Sequence, residues 1–180
     1  MVFIKPKALT KQAFKAFGDV IEANDQAEHF AINDGYTERY HDLAEVDVNS
    51  SNGRALVNIF RTQPFALPLA IKMMERHPLS SQAFIPMGKH PYLVVVAPKG
   101  DFDESSIEVF LANNSQGVNY HAGTWHHYCL ALEGVSDFIV VDRGDSPASD
   151  EVENNGDESS NESINNCDVV TLDGSIVIEL

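Results

Sequence analysis

The stretch Tyr92-Leu93-Val94-Val95-Val96-Ala97, closed by Pro98-Lys99-Gly100-Asp101 and followed by Ile107-Glu108-Val109-Phe110-Leu111-Ala112, decides the fold class. Each run is short and rich in β-branched or aromatic side chains, and turn residues stand between them, so both read as strands. The same pattern recurs outward at residues 55–61, 82–87, 125–132, 137–142, 169–172 and 176–178. Met87-Gly88, Asn113-Asn114 and Glu133-Gly134 supply turns between them. Many short strands at roughly 8–12-residue spacing imply a sandwich or barrel. One helix is expected near the start, with Thr10 as N-cap, Phe14 and Phe17 on one face and Gly18 closing it. The expectation is an all-β core with a short N-terminal helix.

The chain has 180 residues, one domain's worth, and at 43% hydrophobic it can bury a sizeable core. Twelve Lys and Arg face 27 Asp and Glu, a net −15. That charge argues against a nucleic-acid or anionic-membrane partner, because either would be repelled. No apolar run approaches the 18 or so residues that a membrane-spanning helix needs. Residues 1–7 hold basic groups but no long apolar run before a small-residue cleavage site, so no secretory signal is read there. Two cysteines, Cys129 and Cys167, cannot build a disulfide framework, which fits a reducing, cytoplasmic home.

The acid is concentrated. Between Gly144 and Asn166 lie seven acids and no base; without them the rest of the chain carries 20 acids against 12 bases, a milder −8. The tract has almost no large apolar side chain to offset the entropy of ordering, so residues 145–165 are expected to be a disordered insertion in a single domain spanning 1–180.

Four of the seven histidines fall in two stretches, Glu75-Arg76-His77 running on to Gln82, and Gly117-Val118-Asn119-Tyr120-His121 running on to Trp125-His126-His127. In extended chain, Glu75 and His77 share a face, whereas His126 and His127 face opposite ways. At most one of that adjacent pair can enter a shared cavity. For His29, His41 and His90 a structural role is expected.

These two stretches resemble the motifs of the cupin superfamily. Gly123-Thr124-Trp125-His126 follows the second motif, with His121 in place of its proline. Glu75-x-His77-x(4)-Gln82 and Gly88 stand where the first motif, H-x-H-x(3,4)-E and a glycine, would lie. A closer likeness is carried by Glu38-Arg39-Tyr40-His41-Asp42-Leu43-Ala44, Arg61-Thr62-Gln63-Pro64, Glu75-Arg76-His77-Pro78-Leu79 and Gln82-Ala83-Phe84-Ile85-Pro86-Met87. Gly117-Val118-Asn119-Tyr120-His121, Trp125-His126-His127, Asp142-Arg143-Gly144 and Asn166-Cys167-Asp168 follow in order. Together they resemble the ureidoglycolate lyase family of allantoin breakdown, over essentially the whole chain. Asp-Arg-Gly and Asn-Cys-Asp usually lie close together in that family; here the acidic tract separates them.

The resemblance implies a cupin-like double-stranded β-helix, a homodimer, and release of urea and glyoxylate from ureidoglycolate. Such a step needs a base for the hydroxyl proton, an acid for the departing nitrogen and a cation for the carboxylate. For acid/base work His126 is the first choice and His77 the second, with Glu75 as base or ligand and Tyr120 as donor to a developing charge. Of five arginines, Arg54 reads as a turn residue and Arg76 alternates away from Glu75 and His77. Arg39, Arg61 and Arg143 remain as carboxylate clamps, with Gln82 beside the substrate. Glu75, His77, Gln82 and His126 would hold a divalent metal, nickel or a similar ion, but weakly, because an amide oxygen is a poor ligand for such ions. Two other readings stay open: a different metal-dependent cupin enzyme (dioxygenase or isomerase), and a non-catalytic cupin that binds a small ligand.

Overall fold

The computed structural model describes residues 1–144 and 166–180; the expected insertion at 145–165 lies outside the described residues. Two sheets form the body. One runs in the order Asp168–Thr171, Met73–Arg76, Trp125–His126, Tyr92–Ala97, Glu108–Ala112, Lys7–Ala8, with Leu130–Ala131 also paired to Tyr92–Ala97. The other runs Gly18–Ile21, Gly117–Tyr120, Gln82–Pro86, Ser136–Gly144, Arg54–Thr62. The fold is all-β and cupin-like.

The Tyr92–Ala97 strand shows why its sequence is apolar throughout. Tyr92, Val94 and Val96 enter the core between the two main sheets, with Phe84, Val118, Tyr120, Phe138 and Val140 opposite. Leu93, Val95 and Ala97 point the other way, into a second core with Ile71, Met74, Trp125, Ile176 and Ile178. That second core is closed by a small sheet of Val2–Ile4, Ile176–Ile178 and Leu69–Ala70. A strand buried on both faces has no use for polar alternation.

The short helix is present at Lys11–Phe14, and the Thr10 hydroxyl caps it by accepting from the Ala13 N–H at 3.2 Å. Gly18 does not close it. That residue opens the strand Gly18–Ile21, where a Cβ would fall 1.9 Å from the Asn119 carbonyl oxygen. The glycine is required by close strand approach, not by a helix end. The expected 125–132 strand is two pieces, Trp125–His126 and Leu130–Ala131. Met73–Arg76 is a strand that composition did not announce, since its Met-Met-Glu-Arg carries no β-branched residue.

Candidate active site

Register brings the site together. Glu75 and His126 are direct cross-strand partners, so their side chains leave one face of the sheet side by side. Met74 and Trp125, one residue away on each strand, face the opposite core. His77 follows Glu75 by two residues and returns to the same face. Glu75, His77 and His126 accordingly offer ligand atoms all within 4.8 Å of one another. His126 Nε2 stands 3.7 Å from Glu75 Oε1, and the two imidazole rings are 5.2 Å apart.

The second sheet supplies the opposite wall. The Tyr120 ring lies flat on His126, centroids 4.3 Å apart and planes 10° from parallel. Gln82 is the cross-strand partner of Tyr120 and shares its face with Phe84, whose ring meets Tyr120 at 5.9 Å. Gln82 is itself buried.

Both imidazoles have a fixed hydrogen. His126 Nδ1 donates to the Thr124 carbonyl at 3.0 Å, and His77 Nδ1 donates to the Asn166 carbonyl at 2.8 Å. A carbonyl can only accept, so in the neutral form of each ring the hydrogen sits on Nδ1 and the Nε2 lone pair faces the cavity. Among the described residues His77 Nε2, His126 Nε2 and Gln82 Oε1 are buried acceptors with no hydrogen-bond partner. Buried polar atoms are rarely left so without a purpose. Burial first, and the neighbouring His77 second, push the His126 pKa down to about 3, so the ring is neutral near pH 7. Tyr120 is held well above its ordinary value by burial, then by Cys129 and Glu75, and its phenol keeps its proton. Two imidazole nitrogens and a carboxylate, tautomers set from behind, are a donor set that fits a divalent cation.

His127 stays outside this cluster. Its ring lies against Tyr128 and its Nδ1 donates to the Tyr128 carbonyl, although at 3% exposure it is buried and does not face solvent.

The three arginines read as clamps go elsewhere. Arg61 stands on the outer face of the Arg54–Thr62 strand, 69% exposed, and closes its fork on Asp137 through two 2.8 Å bonds. Alternation explains this: Arg61 shares its face with Val57 and Ile59, away from the core. Arg39 lies on an exposed hairpin, His29–Ile32 with Thr37–Tyr40, over the Phe30 ring. Arg143 is buried and donates to the carbonyls of Val48, Ser50 and Ser51, pinning that loop. Arg76 pairs with Asp168 and packs on Trp125, outside the cluster as alternation implies. One contributor was read from the sequence only as part of a motif: Asn166, which backs His77 from 89 residues away and so has no short-range signal.

A two-sheet barrel with this acceptor cluster between its walls defines a cupin-like enzyme. Comparison with known sequences is more particular. The family model described as ureidoglycolate lyase matches residues 1–179, and the chain belongs to that family. A protein named ureidoglycolate lyase from Burkholderia mallei (strain NCTC 10229) is 57% identical over 136 residues, covering 76% of this chain and 79% of that one. Another of that name, from Burkholderia cepacia, is 54% identical over 151 residues, 83% and 85% of the two chains. A third, from Pseudomonas syringae pv. tomato, is 53% identical over 139 residues, 77% and 81%.

Proposed function

We propose that this protein cleaves ureidoglycolate to glyoxylate and urea at the Glu75–His77–His126 cluster. The observation that carries the reading is the cross-strand pair Glu75–His126, with a carboxylate oxygen 3.7 Å from a buried lone pair, in a chain of this family. The substrate is a carbinolamine, so the hydroxyl proton must leave while the carbon–nitrogen bond breaks and the nitrogen gains a proton. The hydroxyl proton goes to the Glu75–His126 pair. A proton taken at His126 Nε2 meets the Glu75 carboxylate at once, which offsets the burial that otherwise keeps the ring neutral. The same pair then gives that proton to the departing urea nitrogen, and Tyr120, still protonated and stacked on His126, donates a hydrogen bond to the developing charge. His77 and Gln82 add acceptors that suit a ureido group, whose N–H bonds are donors.

In the alternative use of the same lone pairs, Glu75, His77 and His126 would hold a divalent ion, nickel or a similar metal, weakly, and the ion would supply Lewis-acid polarisation of substrate oxygens. The protein is further proposed to be a cytoplasmic homodimer. Cys129 is a free thiol. Val57 and Ile59, 74% and 64% exposed on the Arg54–Thr62 edge strand, offer the apolar centre that an interface between two acidic subunits needs.

The test is incubation with racemic ureidoglycolate, with and without chelator, while urea, glyoxylate and ammonia are measured. Urea and glyoxylate in equal amounts support the lyase. Ammonia with carbon dioxide points to an amidohydrolase, and no turnover with any added metal points to a binding module.

A further inference from the structure

A neutral imidazole carries its hydrogen on one nitrogen, and in water the Nε2–H form is the commoner. His77 can offer an Nε2 lone pair only if something holds the hydrogen on Nδ1. For His126 that hold is local: Thr124, two residues away, supplies the carbonyl. For His77 it comes from Asn166, 89 residues further along the chain.

A backbone carbonyl orients a ring only if the carbonyl is itself fixed. The Asn166 side chain does this. Its Oδ1 accepts from the Leu79 N–H at 2.7 Å, and its Nδ2 donates to Ser80 Oγ at 2.8 Å. With the 2.8 Å bond from His77 Nδ1, one residue fastens the whole turn from His77 to Ser80. Asn166 is 5% exposed, so water does not compete for these bonds. The Asn-Cys-Asp motif thus has a part that its composition does not suggest. Asp168 continues it, pairing across the strands with Arg76.

We infer that Asn166 is a positioning residue, whose side-chain amide locks its own carbonyl behind His77 and so keeps His77 in the Nδ1–H form with Nε2 facing Glu75 and His126. It touches no reacting atom. It acts through His77. The part of this inference that concerns turnover rests on the proposed lyase site; the part that concerns the ring does not.

Long-range ¹H–¹⁵N correlation spectra of the histidine rings, recorded on the full chain with EDTA present, read the tautomers directly. In wild type, His77 and His126 both show Nδ1–H. Asn166→Ala moves His77 toward Nε2–H and leaves His126 unchanged, and kcat falls roughly 10- to 100-fold with KM little altered. Asn166→Asp keeps Nδ1–H, since a carboxylate accepts from Leu79 N–H and from the Ser80 hydroxyl alike. Ser80→Ala, a milder change that removes one of the two anchors, gives a smaller shift of the same sign. Replacing residues 146–164 by a short Gly-Ser turn while keeping Asn166 leaves the His77 tautomer as in wild type. His77 remaining Nδ1–H in both Asn166→Ala and Ser80→Ala overturns the inference, even if activity drops. Release of His77 with kcat intact upholds the positioning and overturns instead the part given to His77 in the chemistry.

Discussion

The wall that carries Glu75 and His126 and the outer face that carries Arg61 and Asp137 are both cross-strand pairs of opposite or potentially opposite charge. They differ in what surrounds them. Arg61 and Asp137 satisfy each other in solvent with a bidentate bond, and the Asp137 carboxyl lies below its ordinary range through the hydrogen bonds of Arg61. Such exposed pairs add little to stability or function. Glu75 and His126 stand 3.7 Å apart, too far for a hydrogen bond, and His126 is 1% exposed with its Nε2 unpartnered. A pair that is complete needs nothing more. A buried imidazole whose Nε2 has no partner, beside a carboxylate, is set up to receive a ligand or a proton.

The largest effect that would sharpen this contrast is expected at Glu75. Glu75→Gln keeps the shape and removes the proton acceptor, so kcat for urea release falls by about 10²-fold or more. Retention of wild-type kcat would place the chemistry elsewhere. A smaller effect is expected on acid stability. The His126 pKa is lowered in the folded protein to about 3, from an ordinary 6.5, so below about pH 6.5 the unfolded chain binds the extra proton first. Stability conferred by neutral His126 is therefore present above pH 6.5 and is lost as pH falls toward 3. In EDTA the wild-type Tm should drop more steeply between pH 7 and 4 than that of His126→Asn, and parallel curves would contradict the burial argument. The smallest effect belongs to the outer pair: Arg61→Lys should leave kcat unchanged within error. A large loss of kcat there would bring Arg61 back to the substrate.

Much of this contrast was legible from residue order. β-branched runs separated by Pro, Gly and Asn turns announced about half of the strands, without Gly18–Ile21 or Gly117–Tyr120, and period-two alternation put Glu75 with His77 and parted His126 from His127. What alternation could not say is which strand pairs with which. Arg61 passed as a substrate clamp because Asp137, the residue opposite it, is known only from the register of two strands 76 positions apart. Arg143 passed for the same reason, since its acceptors are carbonyls of a loop more than 90 residues earlier. Met73–Arg76 was missed because its propensity is weak and its neighbours on either side hold it in the sheet. Asn166 was read only as part of a motif; its bonds to the turn at His77 are invisible without the fold.

The most direct measurement compares His126→Asn with His127→Asn in steady-state cleavage of ureidoglycolate. The two residues are adjacent and both are buried, so a general packing defect would harm them alike. The predicted result is a kcat loss of roughly 10²-fold or more for His126→Asn, and near-wild-type kcat with lowered Tm for His127→Asn. The contradicting result is the reverse, turnover abolished at His127 and retained at His126, which would remove the cluster of Glu75, His77 and His126 from the reaction.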